Sequence, residues 1–219
     1  MVTVWWAYAT AIRSGILLES ERMRVARFVK QSDRELHATS YFLRRVVLAH
    51  KTSRRAECIR FASQCPGCGS AEHGPPRLFP SDDGGVRFSV SHSGNVALVA
   101  VARGIDLAVD IEHAATRSAW NEIGSRVAHP RDNVSVSGVE RWTAKEAALK
   151  LTGFGLTIPM TKVVIERTAG RTGRTGRTHI NYRGRQFAAW ITWFDVDASF
   201  KGAVASSIPS DLTVVKVTL

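Results

Sequence analysis

Apolar and polar positions change their period several times along this chain, and the changes mark its elements. Val2 to Ala9 is aromatic and β-branched and reads as a first strand. Glu19 to Val29 and Asp33 to Ala49 follow a helical period. In the second of these, Leu36, Leu43 and Val47 share a face, and Asp33 sits where a cap or first-turn acid belongs. Cys65 to Gly85 is dense in Gly, Pro, Ser and Asp, which predicts a long loop. Strands are expected at Val86–Val90, Val96–Val101 and Leu107–Ile111, the first two separated by a Ser-His-Ser-Gly turn.

The second half repeats the order. Helices are predicted near Trp120 to Ala128 and at Glu140 to Leu151, then strands at Lys162–Glu166, Gln186–Val196, Gly202–Ala205 and Thr213–Thr218. Gly170 to Thr178 is a Gly-Arg-Thr triplet repeat, read as a solvated hairpin loop, with RNA contact as the alternative. Helices followed by a strand cluster thus occur twice, which predicts an α+β fold of two comparable halves, 1–105 and 106–219.

Three segments carry candidate chemistry. On a helix from Trp142, the residues Trp142, Glu146, Lys150 and Gly153 recur three and four apart and share one face. A carboxylate and a cation one turn apart suit a metal-bound polyphosphate, although the same spacing is also a common helix salt bridge. In the strand Val109 to His113, Asp110 and Glu112 point one way while Val109 and Ile111 point the other. Two adjacent carboxylates repel, and a shared cation such as Mg²⁺ is the usual reason for them to coexist. Glu146 would supply a third oxygen ligand. Ser91 and His92, in Phe88 to Gly94, offer a hydroxyl and an imidazole to phosphate oxygens. No third residue orients the histidine as in a hydrolytic triad.

These segments, Ser89-x-Ser-His-Ser-Gly94, then Val109-Asp-Ile-Glu112, then Trp142-x-x-Lys-Glu-Ala-x-x-Lys150-x-x-Gly-x-Gly-Leu156, resemble the 4′-phosphopantetheinyl transferases of the surfactin type. The resemblance implies a pseudo-twofold pair of α+β halves with the active site in the cleft between them. It implies Mg²⁺, or Mn²⁺ in its place, held by Asp110, Glu112 and Glu146. Lys150 would contact the diphosphate of coenzyme A and protonate the departing adenosine 3′,5′-bisphosphate. Lys145 would contact phosphate or carrier, and Ser91 and His92 would hold coenzyme A, His92 near its 3′-phosphate. Arg24 and Arg34 lie at the basic positions that grip that phosphate, with Arg22, Arg27 or Arg45 as substitutes. The implied reaction moves phosphopantetheine to a serine of an acyl or peptidyl carrier protein, with Glu146, directly or through water, as general base. Such carriers serve fatty-acid, polyketide and nonribosomal peptide synthesis, and family habit suggests a monomer.

Three positions depart from the family pattern. Pro75 stands where a diphosphate-binding cation is usual, and Arg77 would replace it from a shifted position. Ala108 replaces a glycine before the paired acids, and Asp132 replaces a glutamate and is read as structural.

Composition adds bounds. A chain of 219 residues with 44% hydrophobic content suits a well-buried globular core. No apolar run reaches membrane-spanning length. Met1 to Leu18 lacks a basic start and is interrupted by Arg13, so neither a signal peptide nor an anchor is expected, and the cytoplasm is the default. Lys plus Arg number 30 against 19 acids, a net charge of +11 that favours a polyanionic partner. Nucleic acid, anionic lipid, coenzyme A and an acidic protein all qualify; the resemblance selects coenzyme A and an acidic carrier. Three cysteines, Cys58, Cys65 and Cys68, argue against a disulfide scaffold. With His73 they would form a zinc site; reduced thiols in a tight loop is the reading preferred here. Two rivals remain for the whole chain, a basic nucleic-acid-binding module and a metal-dependent nuclease using Asp110, Glu112 and Lys150.

Overall fold

A computed structural model describes residues 1–12, 15–71, 74–80, 84–114, 117–132, 136–168 and 174–219. In chain order its elements are β1 (Val2–Tyr8), α1 (Glu19–Ala26), α2 (Gln31–Thr52), β2 (Arg60–Ser63), β3 (Pro76–Phe79), β4 (Val86–Ser93), β5 (Val96–Arg103) and β6 (Leu107–His113). There follow α3 (Arg117–Arg126), α4 (Gly138–Thr152), β7 (Val163–Arg167), β8 (Thr175–Tyr182), β9 (Arg185–Asp197), β10 (Phe200–Ser206) and β11 (Leu212–Lys216). The fold is α+β. No helix among the described residues is long and apolar enough to cross a membrane.

One sheet has the order β11-β1-β5-β4, a second β6-β10-β9-β8-β7, and β2 and β3 form a separate hairpin. Connectivity repeats between the halves. In each, the opening strand pairs antiparallel with the last (β1 with β5, β6 with β10), which pairs with the strand before it. The long helix between them, α2 or α4, packs on the sheet it interrupts. β11, from the end of the chain, runs parallel to β1, so the last strand of the second half is built into the sheet of the first.

Three apolar clusters explain the layering. Leu43, Val47 and Leu48 of α2 meet Val99 and Val101 of β5. On the other face of β5, Val96, Leu98 and Ala100 meet Val109 and Ile111 of β6 together with Phe194 and Val204. Ala144, Ala148 and Leu149 of α4 then cover the far side of the second sheet against Ile165, Ile191 and Ala203. Both sheets are buried on two faces near the middle, and β5 accordingly reads as a continuous apolar run. Val109 and Ile111 point into the shared core while Asp110 points the other way, as strand alternation requires.

Three expectations are corrected. The segment from Cys65 to Gly85 is not all loop: Pro76–Phe79 is strand β3, pinned by buried Leu78 and paired with β2. Four residues opening on a proline show too little alternation to announce a strand. Ser91, His92 and Ser93 do not form a turn but continue β4, and the hairpin turns at Gly94-Asn95. The Gly-Arg-Thr repeat is not all solvated. Its 170–173 portion lies outside the described residues, but from Thr175 it builds β8, with Gly176 and Thr178 facing inward. A Cβ at Gly176 would come within 2.9 Å of the Trp193 ring, so the smallest residue is required there.

One buried charge network fixes α1 on α2. Glu21 accepts hydrogen bonds from Arg45 Nε at 2.7 Å, Arg44 Nη2 at 2.8 Å and the Leu18 N–H at 3.0 Å. Arg45 is fully buried and also donates to the carbonyls of Ala56 and Ile59. Burial alone would raise the Glu21 carboxyl, but Arg45, the Leu18 N–H and Arg44 together hold it below its ordinary value. A depressed carboxylate contributes stability above its unfolded pKa and loses it as pH falls through the folded value. Glu21→Ala, which leaves Arg45 buried without its partner, should cost about 3–5 kcal/mol in a urea titration at neutral pH. A loss below about 1 kcal/mol would show that the pair does not hold α1.

Candidate active site

The two sheets meet edge to edge at β4 and β6, and no backbone ladder joins them there. Serine side chains take its place. Because residues of β4 alternate, Val86, Phe88 and Val90 face α2 while Ser89, Ser91 and Ser93 face β6. The Ser89 and Ser93 hydroxyls each accept a backbone N–H of β6, from Val109 and His113, at 3.1 Å. Ser91 Oγ donates to Asp110 Oδ1 at 3.0 Å, and Ser93 Oγ to Glu112 Oε2 at 2.7 Å.

Helix α4 closes the site from the other side. Its N-terminus is fixed by a capping box between Ser137 and Glu140, and its C-terminus by Gly153 at φ 79°. Between these caps Glu146 and Lys150 emerge on one face, as the spacing predicts. Lys150 Nζ lies 2.6 Å from Asp110 Oδ1 and 3.9 Å from Glu146 Oε1, and reaches Ser91 Oγ and the Val109 carbonyl at 3.4 Å.

The three carboxylates form one electrostatic unit. Burial pushes Asp110 up, against the opposing pull of Lys150 and Ser91. Burial likewise raises Glu112; the Ser93 hydrogen bond opposes this and the Asp110 charge adds to it. Glu146 is raised by burial, lowered by Lys150, and raised again by Asp110 and Glu112. Two oxygens inside this group, Asp110 Oδ2 and Glu146 Oε2, are buried without a hydrogen-bond partner. Buried carboxylate oxygens left unpartnered are what a hard divalent cation satisfies, so Asp110, Glu112 and Glu146 fit Mg²⁺ by donor chemistry. Among the described residues no three acidic, His or Cys side chains already converge as a ligand set. The Lys150 ammonium lies between Asp110 and Glu146 instead.

Other expected residues divide. Lys145 is not at the site: it points into the core, fully buried, with its ammonium 2.9 Å from Asp132 Oδ2 and 2.7 Å from the Val127 carbonyl. The phosphate or carrier contact expected of it is replaced by an internal ion pair, and five residues along a helix turn it well away from Lys150. Asp132 completes that network by accepting the Ile165 N–H. His92 projects to the opposite face of β4 from Ser91, so the two do not approach one group from the same side. Its ring meets His37 of α2 edge-on at 4.7 Å, and His37 stacks on Phe28. Burial among these neighbours, then His37 and Lys150, hold the His92 imidazole below its usual value. Arg34, one turn before His37, is exposed and donates to the Phe28 carbonyl. Arg24 is exposed on the last turn of α1, and no contact among the described residues links it to the carboxylates.

Two adjoining clefts, of about 890 and 950 Å³, run between the halves and touch the carboxylate group only through Lys150. Arg77 lines the second, beside Lys150 and Gly153. Ala108 sits in β6 opposite Ala205, in ordinary strand conformation, so the methyl that departs from the family glycine is accommodated. The four-ligand zinc reading fails at Cys58. It precedes the extended β2 and Cys65 follows it, roughly 13 Å apart at strand rise, too far to share an ion. His73 lies outside the described residues.

Sequence reasoning missed Ser93, which supports Glu112, and His37, which faces His92. Ser93 belongs to a visible Ser-x-Ser-x-Ser alternation, whereas nothing local distinguishes His37.

No protein-family model matches the chain. Individual relatives do. The 4′-phosphopantetheinyl transferase Sfp of Bacillus subtilis is 24% identical over 205 residues, 89% of this chain and 85% of that protein. A Synechocystis protein provisionally named a 4′-phosphopantetheinyl transferase is 25% identical over 159 residues, 68% of this chain. The L-aminoadipate-semialdehyde dehydrogenase-phosphopantetheinyl transferase of Schizosaccharomyces pombe is 30% identical over 167 residues, 64% of this chain. The matches span 62% and 60% of the Synechocystis and S. pombe proteins, less than two thirds of either. The chain is thus similar, at modest identity over most of its length, to several proteins named 4′-phosphopantetheinyl transferase, Sfp among them.

A raised carboxyl gives its stabilising contribution in acid and loses it as pH rises through the folded value. Glu146→Gln therefore removes a charge that the fold disfavours above that value. The variant should melt at or above the wild-type temperature at pH 8 without added metal; a melting point several degrees lower would refute this electrostatic picture.

Proposed function

We propose, from this kinship, that the chain transfers 4′-phosphopantetheine from coenzyme A to a serine of an apo acyl or peptidyl carrier protein, releasing adenosine 3′,5′-bisphosphate. The observation that carries the reading is the seam itself. Asp110 and Glu112 of one strand and Glu146 and Lys150 of one helix face each other beside a cleft, with two carboxylate oxygens left unpartnered.

The carrier serine hydroxyl attacks the β-phosphorus as the bond to the bisphosphate breaks. Glu146 takes the hydroxyl proton, directly or through water; a carboxylate that also serves a cation is a weak base, which favours the water relay. Lys150 keeps part of its side chain in the cleft wall and offsets charge on the departing bisphosphate. Asp110, Glu112 and Glu146 would hold Mg²⁺, or Mn²⁺, which would supply charge neutralisation for the diphosphate. Ser91 and Ser93 orient Asp110 and Glu112. His92, with Arg34 and Arg24, is assigned the 3′-phosphate, and Arg77 the diphosphate. Little covalent work falls to the protein, so positioning and electrostatics dominate. The net charge of +11 suits an acidic carrier. We place the enzyme in the cytoplasm as a monomer.

Mass spectrometry of an apo carrier protein incubated with coenzyme A, Mg²⁺ and this chain tests the proposal. The carrier should gain one phosphopantetheine, and Glu146→Gln should lower the rate by about 10²- to 10⁴-fold. Asp110→Ala should need more Mg²⁺ for the same rate. An unmodified carrier across several carrier types would contradict the reading, and undiminished turnover by Glu146→Gln would remove that residue from it.

A further inference from the structure

The turn between β2 and β3 has no part in the chemistry above, yet it is built around two thiols. Cys65-Pro-Gly-Cys68 closes on itself: the Gly69 N–H donates to the Cys65 carbonyl at 2.8 Å, and the Cys65 N–H to the Ser70 carbonyl at 2.9 Å. Gly69 takes φ 77°, which lets the chain leave the turn at once. The Cys65 and Cys68 side chains interact directly, and the backbone N–H groups of Cys68 and Gly67 are aimed at the Cys65 sulfur. These donors hold the Cys65 thiol below its ordinary pKa. Neither cysteine is buried, and both line the cleft that Lys150 and Gly153 also line. Pro66 sits against the C-terminal cap of α4, where a Cβ on Gly153 would come within 2.7 Å of it.

We infer that Cys65 and Cys68 form a dithiol–disulfide exchange site in the cleft wall, with Cys65 as the attacking thiol and low-molecular-weight disulfides as oxidants. Two facing thiols are the whole equipment for such a pair, whereas a closed zinc site needs four ligands and no third His, Cys, Asp or Glu joins them among the described residues. In the first step the Cys65 thiolate attacks one sulfur of oxidised glutathione. A Cys65–glutathione bond forms, the glutathione disulfide breaks, and one glutathione leaves as a thiolate that water protonates. Cys68 then gives its proton to solvent and attacks the Cys65 sulfur, forming the Cys65–Cys68 bond and expelling the second glutathione. Two protein thiols are oxidised and one disulfide is reduced to two thiols. Cys58, exposed but at the far end of β2, lacks a resolving partner.

The test is to incubate the reduced full chain with oxidised glutathione at neutral pH, quench with acid, and map the products by peptide mass spectrometry. The wild type should lose two hydrogens and show a Cys65–Cys68 link, formed at least about tenfold faster than any adduct on Cys58. Cys68→Ser should instead accumulate one glutathione on Cys65. Equal modification of Cys58 and Cys65 with no internal link would overturn the inference. So would one zinc per chain in the isolated protein that blocks the exchange. Neither readout depends on transferase activity, so failure here leaves the proposed function standing.

Discussion

Asp110, paired with Lys150 at 2.6 Å and accepting the Ser91 hydroxyl at 3.0 Å, is where the two halves of the chain become one site. Asp110 is held by Ser91 from the first sheet, and Lys150 stands on the helix that packs behind the second. Without the first half Asp110 would keep its lysine and lose the hydroxyl that orients it. The apolar core shared by β5 and β6 sets the distance between the sheets, and the serines of β4 set their register. Hydroxyls suit this seam because each can accept a backbone N–H and still donate to a carboxylate.

The same arrangement works against stability locally. Three acids share a small, partly dry volume, and burial raises the pKa of each. One lysine offsets only part of that. The fold tolerates the group because strong networks lie elsewhere: Glu21 with Arg44 and Arg45 under α1, and Asp132 with Lys145 under α4. Every carboxylate oxygen of Glu21 and Asp132 has a donor, whereas Asp110 Oδ2 and Glu146 Oε2 at the seam have none, and a cation is what would satisfy them.

Long periodic elements were legible from the chain alone. β1, α2, β5, β6 and α4 announce themselves through sustained alternation or helical spacing, and the helical spacing of Glu146 and Lys150 puts the lysine 3.9 Å from that glutamate and 2.6 Å from Asp110. What escaped depends on distant partners. β3 is a strand because β2 and the α2 core lie beside it, not because four residues starting with proline favour one. The repeat in β8 looks solvated until Trp193 is placed over Gly176. Lys145 shares a motif with Lys150, but Asp132 draws it inward across the helix. Ser91 and His92 are neighbours in sequence and sit on opposite faces of one strand, a consequence of β4 running on to Ser93.

The claim beneath all of this is that three acidic side chains at the seam serve a single ion. Electron paramagnetic resonance of Mn²⁺ titrated into the purified chain measures that directly. The account predicts one bound Mn²⁺ per chain, with affinity reduced at least about tenfold by alanine at Asp110, Glu112 or Glu146 taken singly. Binding that survives all three substitutions unchanged, or no stoichiometric binding even with coenzyme A present, would contradict it.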